Sequence, residues 1–119
     1  MSVKKGCAML KISGFSDEIS DNFEEQLDLV TQLGMRHISI RGVNGRNFSG
    51  FSQTEVQNYI LPTLQKYGVQ VSSIGSPLGK IFINDADGFQ QQLHMLEKLC
   101  SFAHMLNCRY IGIFSFFIP

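Results

Sequence analysis

Residues 37–75 read HISIRGVNGRNFSGFSQTEVQNYILPTLQKYGVQVSSIG. The stretch opens on the extended run His37-Ile38-Ser39-Ile40 and passes through Arg41-Gly42-Val43-Asn44-Gly45-Arg46-Asn47, a loop rich in residues that tolerate positive φ. Ser52 and Glu55 then stand in capping-box relation, and Val56, Ile60, Leu64 and Tyr67 recur at helical spacing up to Gly68. Pro62 lies inside that stripe, where it is expected to kink the helix or restart it. Val69 to Ile74 is a second extended run. Strand, helix and strand joined by short connections make a βαβ unit, which requires parallel strands and a right-handed crossover.

The flanks repeat the pattern. Residues 8 to 14 alternate loosely as a strand, followed by the polar turn Ser16, Asp17 and Glu18. Phe23, Leu27, Val30 and Leu33 form a helical stripe, with Asp21 and Glu24 at capping-box spacing in front and Gly34 behind. After Gly75-Ser76-Pro77-Leu78-Gly79-Lys80, a helix is expected to follow Asp87 and to end near Asn107, with Phe89, Leu93, Leu96, Cys100 and Ala103 on one face. Tyr110 to Ile118 reads as a final apolar strand. The predicted order is βαβαβαβ, an α/β fold with a parallel sheet. Parallel sheets need both faces covered, and no helix follows the last strand, so the expectation is a chain that stops midway through a repeating βα architecture.

The balance of 10 Lys+Arg against 10 Asp+Glu gives zero formal charge and a pI near 6.8, so no global positive field draws the chain to nucleic acid or an anionic membrane. No apolar run approaches the ~20 residues of a bilayer span. Residues Met1 to Leu10 hold too short an apolar run for a secretory signal. The three cysteines, Cys7, Cys100 and Cys108, are an odd number without a Cys-x-x-Cys pair, as expected of reduced thiols. A cytoplasmic, non-membrane protein is the expectation.

Together, Gly14-Phe15-Ser16-Asp17-Glu18-Ile19 with Phe23-Glu24-Glu25-Gln26-Leu27, Arg41-Gly42-Val43-Asn44-Gly45, Gly75-Ser76-Pro77-Leu78-Gly79-Lys80 and Phe114-Ser115-Phe116-Phe117 carry a resemblance. From Ile12 to Pro119 the chain resembles the amino-terminal half of the xylose isomerase-like (β/α)8 TIM barrels, the sugar phosphate isomerases/epimerases. A complete barrel of this kind needs ~250 residues. The resemblance therefore implies half a TIM barrel, with residues 1–119 as one incomplete domain of four strands and three helices. It also implies metal-dependent sugar or sugar-phosphate isomerisation or epimerisation in a full-length relative, with a divalent metal held by later strands, no cofactor in this chain, and a fragment inactive alone. Many relatives carry a Glu at the end of strand two, where this chain has Ser39, Ile40 and Arg41. A related abasic-site endonuclease and a non-catalytic half-barrel assembly module are the alternatives. Zero net charge disfavours the first; the second would self-associate through open sheet edges.

In such barrels the loops at the carboxyl ends of the strands build the active site. Arg41 and Lys80 leave neighbouring strands among small polar residues, Asn44 and Ser76 included, and form the candidate substrate-binding set. Two readings stay open: both cations converge on a phosphate, carboxylate or polyol, or Arg41 pairs with Asp17 or Glu18 across the mouth. As a loop pair, Arg41 and Lys80 are expected to matter little for stability. Asp17 and Glu18 are general acid or base candidates by position, but adjacent carboxylates before a helix are more often solvated or capping groups, and no catalytic residue is assigned. Gly75 to Lys80 is one residue short of a phosphate loop, with Ile81 where Ser or Thr would bind magnesium, which rejects a nucleotide-hydrolysing site. His94 and His104 lie roughly 280° apart around one helix, and His37 enters its strand at the structural end, so no metal site is expected. Met95, Leu99, Phe102 and Met105 read as core packing, and Cys100 as a buried small hydrophobe.

Overall fold

The computed structural model describes residues 10–119. Its centre is the expected βαβ unit: β1 (His37–Ile40) pairs in parallel with β4 (Gln70–Gly75). On the far side of β4 lies β5 (Ile111–Gly112), so the sheet runs β1-β4-β5, all parallel. The loop after β1 folds into a two-stranded hairpin, β2 (Gly42–Val43) against β3 (Arg46–Asn47). Its tip is Asn44 at φ 54° and Gly45 at φ 77°, the left-handed pair that a tight hairpin turn requires.

Helix α1 (Phe23–Gln32) is capped by Asn22, whose side chain accepts the Glu25 N–H; the Asp21–Glu24 box does not form, because the chain enters the helix one residue later. Asp21 serves through its carbonyl, which accepts the Asn44 N–H. The Ser52–Glu55 box forms in both directions at the start of α2 (Gln53–Glu55). Ahead of Pro62 the helix widens into a π turn at Val56–Ile60 before α3 (Leu61–Tyr67). Proline lacks the N–H that would close the normal bond, and the wider turn accommodates the gap. Gly68 at φ 66° ends α3. Helix α4 (Ala86–Met105) begins before Asp87, because Asp85 caps it by accepting the Gly88 N–H, and Asn107 at φ 51° follows its end.

The helices pack on one face of the sheet. Phe23, Leu27 and Val30 of α1, Ile38 and Ile40 of β1, Val71 and Ile74 of β4, and Val56, Ile60 and Leu64 of the kinked helix are buried together. Burial of each such side chain contributes about 1.5–3 kcal/mol. The other face of β1 and β4 is polar. Ser72 is an extra residue in β4 where the register shifts, Ser39 and Ser73 share a hydroxyl hydrogen bond of 2.6 Å, and Ser13 meets Ser72 at 2.6 Å.

Three expectations are corrected. Of the strand expected at residues 8–14, Ala8 and Met9 lie outside the described residues, and Leu10 to Gly14 form no ladder. That segment reaches the sheet only where Gly14 O accepts the Ser39 N–H and Phe15 bridges Ser39. The last strand shrinks to Ile111–Gly112, with a single further bridge between Phe82 and Phe117. Both segments sit at sheet edges, where among the described residues one side of each has no strand to complete it. Thirdly, of the expected α4 stripe only Ala103 is buried, together with Leu99 and Phe102 and with Leu106 just past the helix end, while Phe89, Leu93, Leu96 and Cys100 are exposed. The aromatic contact of Phe102 with Phe48, ring centroids 5.3 Å apart, fixes the rotation of the carboxyl-terminal half. The reading of Leu99 and Phe102 as core holds, with Met95 and Met105 packed partly buried against it. No helix among the described residues is long and apolar enough to cross a membrane.

Candidate functional site

Parallel strands bring their carboxyl ends to one edge of the sheet, and four loops meet there: Phe15 to Ser20, Arg41 to Asn47, Ser76 to Lys80, and Ile113 onward. Arg41 joins the first two. Its Nε donates to Asp17 Oδ2 at 2.7 Å and its Nη2 to Asp17 Oδ1 at 2.9 Å, a bidentate pair, and Nη2 also reaches Glu18 Oε1 at 3.2 Å. The guanidinium carbon stands 4.1 Å from the centroid of the Phe15 ring, so the cation is stacked as well as paired. Hydrogen bonding to Asp17 raises the Arg41 pKa above its ordinary value, against the opposing effect of burial. The pairing of Arg41 with Asp17 and Glu18, one of the two readings open from sequence, is present in the structure.

Two glycines make this packing possible. A Cβ on Gly75 would lie 2.7 Å from Phe15 Cε1 and 3.2 Å from Arg41 Cβ, so the end of β4 must be bare for the Phe15 ring to cross it. A Cβ on Gly42 would lie 2.9 Å from Asp17 Oδ2. Behind them, the fully buried Gln26 of α1 accepts from Ser16 Oγ and donates to Ser20 O and Gly42 O, tying the first loop to the hairpin. Gln26 and Phe15 belong to the rim, and the sequence does not single them out. An amide within an otherwise apolar helical face, as Gln26 is beside Phe23, Leu27 and Val30, is the signal that marks such a residue.

Lys80 is exposed at the other side of the rim, with Nζ 4.4 Å from the centroid of the Phe114 ring. Its loop is closed onto the chain after β5: Phe114 N–H donates to Leu78 O at 2.7 Å, and Gly79 at φ 87° leaves no room for a side chain beside Phe114. Ser76 is buried and donates to Gly112 O at 2.6 Å. Asn44 accepts the Phe23 N–H and donates to Tyr59 Oη. Ser76 and Asn44 thus anchor the loops that present Lys80 and Arg41. The hydrogen bonds of Arg41 use Nε and Nη2, and Nη1 has no partner among the described residues. An open pocket of about 270 Å³ beside it is lined by Asp17, Asp21, Arg41, Gly42, Gly45, Arg46 and Asn47. Arg46, on its wall, is paired with Glu55 at 2.6 Å.

A divalent metal does not fit these residues. Among the described residues no three His, Cys, Asp or Glu side chains converge, and the Asp17 carboxylate is engaged by Arg41 through both oxygens. No chemical step through a metal is derived for them.

No family model and no curated protein matches the chain. Among solved structures, it is similar to a xylose isomerase-like TIM barrel protein from Mycobacterium smegmatis, crystallised in complex with magnesium, at a TM-score of 0.66 and 16% identity. The match covers 90% of this chain and 38% of that one. The parallel sheet, its one-sided helical cover and this match together give the chain the fold of part of a xylose isomerase-like TIM barrel.

Proposed function

We propose that the chain forms wall and substrate rim of a sugar or sugar-phosphate isomerase or epimerase. The observation that carries this reading is Arg41, fixed by Phe15 and Asp17 at the carboxyl ends of parallel strands, where barrel enzymes bind substrate, with Nη1 unpaired among the described residues. A guanidinium locked on two sides loses little freedom on meeting an anion. Lys80 adds a second cation from the adjacent loop, and Asn44 and Ser76 hold the two loops in place. The substrate is a phosphorylated or carboxylated sugar, and the residues here bind it without transferring its protons; a metal and the reacting carboxylates belong to other parts of a complete barrel.

Calorimetric titration with pentose and hexose phosphates tests this. Arg41→Met and Lys80→Met are each expected to weaken binding by about 1.5–3 kcal/mol, the range for a hydrogen bond to a charged group. Equal affinity in the wild type and both variants overturns the proposal.

A further inference from the structure

Residues 77–80 form a turn closed by the Lys80 N–H, which donates to Pro77 O at 3.1 Å. Gly79 stands third in it at φ 87°, the position where a type II turn needs a positive φ. Three further hydrogen bonds hold the turn. The Leu78 N–H donates to Ser76 Oγ at 3.3 Å, Leu78 O accepts the Phe114 N–H at 2.7 Å, and the Gly79 N–H donates to Gln92 Oε1 at 2.6 Å. Proline brings no N–H of its own. Every backbone donor of the turn is therefore in use, and an anion on this side of the rim meets one group of the turn, the Lys80 ammonium.

The peptide just before Lys80 sets where that ammonium stands. Gly79 has no side chain to pack and more backbone freedom to lose than any other residue, so its hydrogen bonds do the holding. It is buried, and its N–H needs a partner there. That partner comes from outside the loop: Gln92, half-buried in the second turn of α4, whose side chain makes no other hydrogen bond among the described residues. On the other side, Lys80 Nζ lies over the Phe114 ring, and the Phe114 N–H is the one bound to Leu78 O. Gln92 and Phe114 thus hold Lys80 between them as Asp17 and Phe15 hold Arg41. We infer that Gln92 is a positioning residue for substrate: through the Gly79 N–H it fixes the turn that carries Lys80, so that the ammonium meets the anionic group already in place. This rests on the reading of Lys80 as a substrate cation. Without the Gln92 acceptor the turn must be ordered on binding, and ordering one rotamer-rich side chain weakens affinity by roughly three- to tenfold.

Calorimetric titration of the 119-residue chain with ribose 5-phosphate tests this, for the wild type, Gln92→Met, Lys80→Met and the double variant, with Arg41→Met alongside. Methionine matches glutamine in length and helix propensity and lacks the acceptor. The expected result is binding weakened roughly three- to tenfold by Gln92→Met and further by Lys80→Met. Adding Gln92→Met to Lys80→Met should change affinity by less than about twofold, because Gln92 acts only through the lysine. Hydrogen exchange of the Gly79 amide supplies a second readout that needs no variant: it should be slow in the free wild type, and Gln92→Met should speed it. If Lys80→Met weakens binding and Gln92→Met does not, the inference falls and the reading of the rim stands. The inference also falls if Gln92→Met acts equally with and without Lys80, which is a merely structural role, or if the wild-type Gly79 amide exchanges freely. It falls likewise if Lys80→Met is without effect while Arg41→Met weakens binding. No binding by the wild type, or equal affinity in the wild type, Arg41→Met and Lys80→Met, overturns the reading of the rim and the inference with it.

Discussion

The Arg41–Asp17 pair is expected to stabilise the fold as well as shape the rim, contrary to what a charged loop residue at a barrel mouth suggests. The test is a double-mutant cycle of Asp17→Ala and Arg41→Met. Two hydrogen bonds of 2.7 and 2.9 Å join the charges, and a charge-assisted bond contributes about 1.5–3 kcal/mol where water is excluded. The Asp17 side chain is 16% exposed but that of Arg41 is 39% exposed, so solvent screening removes much of that. A coupling of about 1–2 kcal/mol remains. Arg41→Met also removes the guanidinium from the Phe15 ring, but that loss is the same with and without Asp17 and cancels in the cycle. Urea unfolding followed by circular dichroism at one fixed protein concentration supplies the four stabilities, since association would otherwise shift them. Additivity within about 0.4 kcal/mol, the ordinary scatter for independent sites, would refute the reasoning and return Arg41 to the status of a solvated loop cation.

Gly79→Ala is expected to cost about 2–3 kcal/mol in the same unfolding assay, from a side chain at positive φ and the displaced Phe114–Leu78 hydrogen bond; a loss under about 0.5 kcal/mol would mean that the loop is not closed on Phe114. Gln26→Ala should cost about 2–4 kcal/mol, because it removes a buried amide with three hydrogen bonds and leaves Ser16 Oγ without its acceptor. Glu55 is held down to about 2 by Arg46 and by the Ser52 backbone N–H. Its native pKa lies below the unfolded value of 4.5, so its contribution is fully present above pH 4.5 and is lost as the pH falls toward 2. Stability curves against pH for the wild type and Glu55→Gln should therefore converge across that window, and parallel curves would show that the pair is not maintained in solution.

The interior of the fold was legible because its signals are local and mutually consistent. The Ser52–Glu55 box, the Pro62 disturbance, the Gly68 stop and the extended runs around Ile38 and Val71 all act within a few residues. The edges were not legible: Leu10 to Gly14 and Ile113 to Ile118 have the composition of strands, but a ladder needs neighbours on the correct side, and composition carries no information about those. α4 failed for a related reason. Its sequence offers two apolar stripes, through Phe89 and through Leu99, and only the placement of Phe48 against Phe102 selects one. At the rim, the chemistry of Arg41 with Asp17 and Glu18 was legible as one of two options. What the sequence does not show is the Phe15 ring lying across Gly75 beneath Arg41, a contact between residues 60 apart in the chain.

The most direct test of the account is an amide NMR map of the chain titrated with a pentose phosphate. Saturable shifts are predicted for Asp17, for Arg41 to Asn47, and for Gly79 and Lys80, all at the carboxyl ends of the strands. Shifts that are absent from these loops, or that centre on the opposite end of the sheet around Leu64, Gln70 and Met105, would contradict it.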